Sequence, residues 1–201
     1  MIFVVDTSSA RSGLALIRPD GTVADEETHE SSRTFDLPGR FRALTAGQTL
    51  TKIAVATGPG SFTGLRVGVS FGLGVAIGLR IPIVALRTLQ IQAARSEAPA
   101  VAVAEAGRGR VYSLVPGSDP HLSGPEDLPK HLPAVGWLRP TTAALLRSAD
   151  IDLLADAELM SFGSAASRLL ESASEVAYGS LRLEYMQALG SALAHHRWTR
   201  T

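Results

Sequence analysis

The sequence predicts a mixed α/β protein made of two lobes, and three observations support this class. Short β-branched runs alternate with longer segments of helical periodicity. Each half of the chain begins with strands and ends with strand–helix units, and the pattern restarts around residues 96–99. The 201 residues are also enough to build one large domain or two small lobes around a buried core. We therefore expect one lobe over residues 1–98 and a shorter one over residues 99–201.

The first lobe is expected to open with three strands that pair in succession. Pro19-Asp20-Gly21 predicts the turn before the third strand, because proline presets φ and glycine accepts a positive φ. Pro38 suits the first turn of a helix. The predicted strands are Ile2–Asp6, Gly13–Arg18, Thr22–His29, Lys52–Ala56 and Ile81–Leu86, and the predicted helices are Phe35–Leu50, a helix from the Gly58–Gly64 turn to Leu79, and Thr88–Arg95.

The second lobe is expected to open with a β-hairpin whose tight turn is Gly107-Arg108-Gly109. Glu105, Arg108 and Arg110 surround this tip, which we interpret as solvated rather than as a ligand site. Five prolines in Pro116–Pro133 predict an irregular segment. The remaining predicted strands are Val101–Ala106, Arg110–Val115, Ala134–Leu138 and Ile151–Ala155, and the predicted helices lie near Thr141–Ser148, Ser161–Ala173 and Glu184–Trp198.

The composition excludes several classes of function. Nineteen basic and nineteen acidic residues give a net charge of zero, which argues against a broad electrostatic footprint on nucleic acid. The absence of cysteine excludes disulfides, zinc–thiolate sites, iron–sulfur clusters and a thiol nucleophile. None of the five histidines forms an i, i+4 pair, so no metal site is expected. The first residues lack a basic n-region and the apolar run Val67–Leu79 is short for a bilayer, so we expect a soluble cytoplasmic protein.

The most informative segment is the glycine-rich turn Gly58–Gly64 and the helix that it opens. Free backbone N–H groups at a helix N-terminus bind anions, but the segment matches neither the Walker loop nor the dinucleotide fingerprint. Gly64, Gly68 and Gly72 share one helix face, and Gly74 and Gly78 form a second such pair. Each interior glycine costs about 1 kcal/mol relative to alanine. A helix face without side chains allows another backbone to approach closely. That backbone belongs either to the sheet of this chain, which the sequence alone favours, or to a helix of a second subunit.

Asp6-Thr7-Ser8, directly after the first strand, forms the second candidate site. A carboxylate beside hydroxyl groups at this position can face a metal-bound phosphate. The favoured interpretation is that Asp6 caps the turn by accepting hydrogen bonds from backbone amides. The chain contains no Gly-x-Ser-x-Gly elbow in the glycine-rich turn, so nucleophilic hydrolysis is not indicated.

Three motifs, in this order, resemble the bacterial TsaB (YeaZ) family: Asp6-Thr7-Ser8, the run from Gly58 to Arg66, and the segment from Glu105 to Tyr112. The likeness is strongest from Ile2 to Thr88, and the Gly58–Arg66 run is its most specific part. It implies the actin, sugar-kinase and Hsp70 ATPase type of fold (ASKHA, ribonuclease H-like), with a mixed five-stranded sheet in each lobe. The hairpin departs from the family pattern, since it begins with Glu105 where the family has Asp.

The resemblance implies a non-catalytic accessory subunit for threonylcarbamoylation of adenosine 37 in tRNAs that read ANN codons. The family is a degenerate relative of the catalytic subunit TsaD, whose His-x-x-x-His metal pair this sequence lacks. Implied partners are a TsaD-like catalytic subunit, a TsaE-like ATPase and a second copy through the same helix, with tRNA reached only through the complex and no membrane. No catalytic residue, metal or tightly bound cofactor is implied, and ATP or ADP would bind only weakly at a partner interface.

Two sets of residues follow from the resemblance. The vestigial nucleotide-binding candidates are Asp6, Thr7 and Ser8. The expected partner interface consists of Phe62, Gly64, Leu65, Val67, Gly68, Phe71, Gly72 and Val75. With the family in mind, the bare helix face is interpreted as a subunit interface rather than as internal packing.

The alternative is a free-standing ATPase or kinase-like enzyme of the same fold, with Asp6 near a metal-bound phosphate. Tight nucleotide binding that is lost in an Asp6→Ala variant would favour this alternative. A glycoprotease, a function once attached to relatives of the family, is disfavoured because the sequence offers neither metal ligands nor a nucleophile.

Overall fold

A computed structural model describes residues 1–32 and 34–184 of the chain. The strands are β1 (Ile2–Asp6), β2 (Arg11–Ile17), β3 (Val23–Glu30), β4 (Lys52–Ala56), β5 (Ile83–Leu86), β6 (Val101–Gly107), β7 (Arg110–Leu114), β8 (His121–Ser123), β9 (Ala134–Val135) and β10 (Glu175–Val176). The helices are α1 (Leu37–Leu44), α2 (Phe62–Leu79), α3 (Thr88–Ala94), α4 (Pro140–Ser148) and α5 (Phe162–Leu170).

The first lobe is built on a six-stranded mixed sheet with the order β10-β5-β4-β1-β2-β3. Short turns join β1, β2 and β3, which therefore pair antiparallel, whereas β1, β4 and β5 are parallel and are linked through helices. Phe3 and Val5 point to one face and Val4 to the other, and all three are buried. Helices cover both faces, which explains why β1 is an uninterrupted apolar run.

The second lobe is built on a four-stranded sheet with the order β8-β7-β6-β9. Helix α4 covers one face of it through Leu146. Helix α3 lies between the two sheets, because Leu89 packs in the core of the second lobe and Ile91 packs in that of the first. This helix therefore shares its side chains between both lobes.

Several elements differ from the sequence-based expectation. Helix α1 ends at Leu44 instead of Leu50, since a turn follows and Gly47 adopts a φ of +72°. Strand β8 forms inside the proline-rich segment that we expected to be irregular. The predicted strand Ile151–Ala155 is reduced to one bridge at Leu153. The sheets have six and four strands rather than five each, and the predicted helix Glu184–Trp198 lies outside the described residues apart from its first residue.

After the second lobe, the chain returns to the first. Phe162 of α5 belongs to the same buried core cluster as Val4 of the first sheet, and β10 pairs antiparallel with β5 as the edge strand of that sheet. Leu181 and Leu183 then pack against the opposite face of the same sheet. Residues 162–184 therefore belong to the first lobe, and a single division at residue 98 does not describe how the chain is shared between the lobes.

An ionic network centred on the buried Arg95 and the partly exposed Asp156 joins the lobes at the point where the chain returns. Arg95, at the end of α3, is only 4% exposed and donates to Asp156 Oδ1 at 2.7 Å. Arg11 of β2 pairs with the other oxygen of Asp156, and Trp137 Nε1 donates to Asp156 at 3.3 Å. Burial alone would raise the pKa of Asp156, but the hydrogen bond and charge of Arg95 outweigh it and hold that pKa below its ordinary value.

We expect Asp156→Asn to lower the free energy of unfolding by about 2 kcal/mol at neutral pH, because Arg95 is left as a buried cation without an anion. Since the pKa of Asp156 is lowered on folding, its contribution is present above its unfolded value of 3.8. The wild-type protein loses this stabilisation as the pH falls through the folded pKa of Asp156. The Asp156→Asn variant has no such group to protonate, so its stability lacks this part of the pH dependence. Urea denaturation at pH 7 and at a series of acidic pH values measures both effects.

The matched control is Asp150→Asn, which removes a charge from an exposed ion pair with Lys130. We expect it to change stability by less than about 0.5 kcal/mol. Equal losses in the two variants would contradict a special role for the Asp156 network.

Candidate functional site

Helix α2 is anchored at its N-terminus by contacts with the end of β1. Ser61 caps the helix, with its side chain accepting a hydrogen bond from Gly64 N at 3.3 Å. Ser61 N donates to Ser8 O at 2.7 Å, and Thr7 Oγ1 donates to Gly64 O at 2.6 Å. The start of α2 is thus held by the Ser8 carbonyl and the Thr7 hydroxyl group, both in the turn that follows β1.

The face of α2 that carries Gly64, Gly68 and Gly72 packs against the sheet of its own chain. A Cβ atom added at Gly64 or Gly68 would collide with Thr7, and one added at Gly72 would collide with Val55 of β4. The expectation that these three glycines meet a partner is therefore wrong. They allow close helix-on-sheet packing inside this chain, which was the interpretation that the sequence alone favoured.

The other predicted interface residues divide into three groups. Leu65 is buried in the first lobe, as are Gly68 and Gly72. Phe71 and Val75 are half-buried, and Phe71 makes an edge-to-face contact with Phe41 of α1 at 5.3 Å. Phe62 and Val67 remain exposed, at 51% and 47%. Phe62 and Val67 are therefore the most exposed members of the predicted set within the described part of the chain.

The opposite face of α2 is apolar and small, and no described residue covers it. A Cβ atom added at Gly74 or Gly78 would meet no atom of residues 1–32 and 34–184 within 4 Å, and Ile77 is 50% exposed. Helical periodicity places these residues in one line with two others. We call this line the outer stripe: Val67, Ser70, Gly74, Ile77 and Gly78. The sequence had shown Gly74 and Gly78 as a second spaced pair, but not that they face outwards.

The described segments next to α2 border this helix without covering the outer stripe. Helix α1 contacts it through the pair of Phe41 and Phe71. At the C-terminal end of α2, the Tyr178 hydroxyl donates to Ile81 O at 2.8 Å. Near the N-terminal end, Glu184 N donates to Thr57 O at 2.8 Å. The returning segment 178–184 therefore contacts the chain close to both ends of the helix.

Helix α2 is also long and apolar enough to cross a membrane by length and composition alone, with a mean hydropathy of 1.5. Fewer than a third of its residues are buried within the chain. Core helices pass the same test, and the buried side of α2 lies on the sheet of this chain. The observation that matters for function is that the unburied side is apolar.

The Asp6-Thr7-Ser8 segment is closed off from solvent. Asp6 is fully buried, its Oδ1 accepts from Ser8 N at 2.8 Å, and its Oδ2 has no hydrogen-bond partner among the described residues. Burial raises the pKa of Asp6 more than the hydrogen bonds from Ser8 lower it. Ser8 Oγ shares a hydrogen bond with Thr88 Oγ1 at 2.9 Å. The turn-capping interpretation of Asp6 is thereby confirmed.

A cavity of about 220 Å³ lies between the start of α2 and the hairpin of the second lobe. Asp6 does not line it, whereas Ser61, Glu105 and Arg139 do. Glu105 is already engaged: its carboxylate accepts from Arg139 N at 2.6 Å and from Thr142 Oγ1 at 3.0 Å, which caps α4. This capping role of Glu105 was not visible in the sequence, because Arg139 is more than thirty residues away.

The hairpin tip shows no ligand set of its own. Arg108 adopts a φ of +55° at the turn, and Arg110 donates to Leu122 O of the neighbouring strand at 3.1 Å. Within residues 1–32 and 34–184, no three His, Asp or Glu side chains cluster closely enough to hold a metal ion. The expected absence of a metal stays a prediction.

Comparisons with known proteins agree with this fold. The family model of TsaD, a tRNA N6-adenosine threonylcarbamoyltransferase, matches residues 42–118. The chain is 36% identical over 121 residues to the tRNA threonylcarbamoyladenosine biosynthesis protein TsaB of Bacillus subtilis (strain 168). That match covers 56% of this chain and 53% of the relative, so it spans about half of the relative's length.

Solved structures extend the likeness over most of the chain. YeaZ from Pseudomonas aeruginosa superposes with a TM-score of 0.69 over 92% of this chain and 98% of that one, at 21% identity. Another Pseudomonas aeruginosa structure, described as similar to peptidase YeaZ, gives 0.66 over 92% and 99% at 19% identity. At such identities these structures show the fold alone. Together with the sequence match, the comparisons confirm both the actin, sugar-kinase and Hsp70 ATPase-like fold and the resemblance to the TsaB (YeaZ) family.

Alanine substitutions on the two sides of α2 are expected to have opposite effects on stability. Gly64→Ala lowers the free energy of unfolding by about 2 kcal/mol, because its Cβ collides with the Thr7 main chain. Gly74→Ala raises it by up to about 1 kcal/mol, since helix propensity improves and no atom is displaced. Chemical denaturation of the two variants, which share helix and residue type, makes the comparison direct. Destabilisation by Gly74→Ala would show that the outer face is packed.

Proposed function

We propose that this TsaB-like chain is a non-catalytic accessory subunit that binds and activates a TsaD-like catalytic subunit. The complex would carry out threonylcarbamoylation of adenosine 37 in tRNAs that read ANN codons, in the cytoplasm. The observation that carries the proposal is the outer stripe of α2, an uncovered line of small and apolar residues on a helix whose other side is seated on the sheet.

The glycines of the outer stripe support an intermolecular role on energetic grounds. Each glycine inside a helix costs about 1 kcal/mol relative to alanine. At Gly64, Gly68 and Gly72 this cost is offset by close packing on the sheet. At Gly74 and Gly78, no atom of the described chain lies close enough to require glycine. A partner helix that approaches closely would leave no room for a side chain at these two glycines. The same helix would also cover the half-exposed Val67 and Ile77.

The state of Asp6 supports a non-catalytic role. A carboxylate that holds a metal-bound phosphate has to be charged and accessible, but Asp6 is fully buried and its pKa is raised. The hydroxyl groups of Thr7 and Ser8 are used in hydrogen bonds to Gly64 and Thr88. No observation favours the ATPase or kinase-like alternative, and any weak ATP or ADP site would need contributions from a partner.

In this proposal the TsaD-like subunit performs the chemistry, and this chain covers and fixes the apolar surface on which that subunit's active conformation depends. The TsaE-like ATPase then joins the pair. Transfer RNA is met only through the complex, in agreement with the zero net charge of this chain. A second copy occupying the same stripe would compete with the catalytic subunit.

We expect Gly74→Leu to abolish assembly with the TsaD-like protein of the same genome while the variant stays folded. Its side chain projects into solvent in the isolated chain but fills the space that a partner helix needs. Size exclusion with light scattering of the mixture measures assembly, and circular dichroism with thermal melting measures folding. The wild-type mixture should elute at the summed mass.

Gly74→Ala is the matched control, because a single methyl group is added at the same position. We expect it to weaken assembly far less than leucine does. A Gly74→Leu protein that still forms the complex with unchanged affinity would contradict the assignment of the outer stripe.

We expect Asp6→Asn to leave threonylcarbamoylation by the reconstituted system within about twofold of wild type. Asparagine is close in shape to the carboxyl group, and burial already favours the uncharged form of Asp6. The measurement is the initial rate of tRNA modification, together with a nucleotide titration of the isolated chain. A loss of about 100-fold or more in a folded and assembled variant, with nucleotide binding lost in parallel, would instead favour the enzyme alternative.

A further inference from the structure

Within the described residues, the two sheets end in four edge strands, and one of these is much longer than the others. Strands β8, β9 and β10 have two or three residues each, whereas β3 has eight. A very short edge strand offers another chain few main-chain groups to pair with. Strand β3 contains no proline, and no described element pairs with its outer side. It is therefore the edge at which a further strand can be added.

The register of β3 against β2 shows which of its main-chain groups face outwards. Ser31 N donates to Ala10 O across the two strands. Along an antiparallel ladder, pairs that exchange hydrogen bonds alternate with pairs that do not. Glu26, Thr28 and Glu30 fall in pairs of the second kind, so their N–H and C=O groups point away from β2.

Most of these outward groups have no hydrogen-bond partner among the described residues. Glu26 N donates to the Asp25 carboxylate at 2.9 Å. The carbonyl groups of Glu26, Thr28 and Glu30 and the N–H groups of Thr28 and Glu30 are not bonded to any described residue. They recur every second residue, which is the spacing at which an added strand forms its hydrogen bonds.

The side chains along this edge carry charge of one sign. Strand β3 has no arginine or lysine and four carboxylates: Asp25, Glu26, Glu27 and Glu30. Two of these acids are engaged inside the chain, since Glu27 pairs with Arg40 and Glu26 accepts from Gly163 N at 2.6 Å. The other two are exposed.

The exposed acids lie along the stretch with outward main-chain groups. Asp25 and Glu30 have no cation within ion-pair distance in the part of the chain that the structure describes. Arg18 contacts only the start of β3, where it donates to Val23 O at 3.1 Å. Residues 25–30 thus combine unpaired main-chain groups with acids that lack a counter-charge.

The geometry points to β3 as a docking edge for an extended, lysine- or arginine-rich segment of another protein, which adds to the first sheet as a further strand. Hydrogen bonds to the outward main-chain groups supply the affinity, and the acids select the charge of the segment. This inference goes beyond the proposed function, and it involves no residue of the outer stripe.

The acids of β3 exclude the other occupants on electrostatic grounds. In a second copy paired through the same strand, acids would lie beside acids, and like charges on neighbouring strands are destabilising. Nucleic acid and anionic lipid would meet the same repulsion. An uncharged strand would gain the main-chain hydrogen bonds but leave Asp25 and Glu30 without a counter-charge. Only a basic strand satisfies both features.

The test is a titration of the full chain with a fluorescein-labelled peptide of alternating lysine and valine, blocked at both ends and about six residues long. We expect binding by fluorescence anisotropy, and slower hydrogen exchange of the Thr28 and Glu30 amides on binding. The amide of His29, which faces β2, is the internal reference. Absence of binding, or protection confined to other parts of the chain, would overturn the inference.

Thr28→Pro blocks the edge without removing a hydrogen bond from the β2–β3 ladder, because Thr28 N points outwards. We expect the affinity for the peptide to fall about tenfold. Thr28→Val is the matched control, since it keeps the N–H group at the same exposed position, and it should bind as wild type does. Thermal melting checks that both variants are folded. Undiminished binding by folded Thr28→Pro contradicts addition at this edge.

A peptide of the same side chains but with N-methylated amides applies the same test to the wild-type protein, whatever the fold of Thr28→Pro. It keeps the charge and removes the main-chain donors, so we expect at least about tenfold weaker binding. Equal binding of this peptide would show that charge alone attracts it, and would overturn the proposed strand addition.

The contribution of the acids is measured with an Asp25→Asn/Glu30→Gln double variant. We expect about tenfold weaker peptide binding at low salt, and a smaller difference at about 0.5 M salt because exposed charges are screened. Asp152→Asn/Glu171→Gln is the matched control, because it removes the same charge from exposed positions outside β3. Equal losses in the two double variants would mean that only net charge matters, and would refute the role of the β3 acids.

The remaining outcomes separate this inference from the proposed function. Gly74→Leu should bind the peptide as wild type does, and loss of binding in this variant would place the peptide on the outer stripe instead. Failure of the chain to assemble with the TsaD-like protein would refute the proposed function and leave the β3 edge standing. Light scattering of the chain alone examines the second copy. Self-association that Thr28→Pro abolishes would assign the edge to a second copy and overturn the inference.

Discussion

The close approach of α2 to the first sheet is the contact on which the rest of the structure depends. Gly64 and Gly68 bring the helix backbone against Thr7, and Gly72 brings it against Val55. Because Thr7 Oγ1 donates to Gly64 O at 2.6 Å, the end of β1 and the start of α2 hold each other in place. This contact fixes which face of α2 is internal, and so determines that the remaining apolar face points outwards.

The parts of the fold that the sequence predicted well are those whose ends carry a clear local signal. The bounds of β1, β4 and α2 agree with the prediction, since each is an apolar run limited by turn residues or a cap. The return of the chain through β10 was missed because two residues, Glu175 and Val176, carry no periodicity. Their place in the first sheet is decided by β5, about ninety residues away.

The structure shows that the glycine face named in the sequence prediction is the internal side of α2, and the reason that the sequence did not show this is physical. Both Gly64–Gly68–Gly72 and Gly74–Gly78 have the spacing of a bare face, and α2 is apolar all round. Amphipathicity, the usual signal for which face meets the core, is therefore weak in this helix. The direction was resolved by Thr7 and Val55, which contact the first set and which no local pattern connects to it.

Within the described residues, α2 is apolar on both sides and only the side against the sheet is covered. Hydrophobic burial is non-directional, so the outer stripe alone would accept another copy of itself as readily as a different protein. Specificity then has to come from the polar residues around it. Under the proposed function, the choice between a second copy and a different protein therefore depends on residues outside the outer stripe.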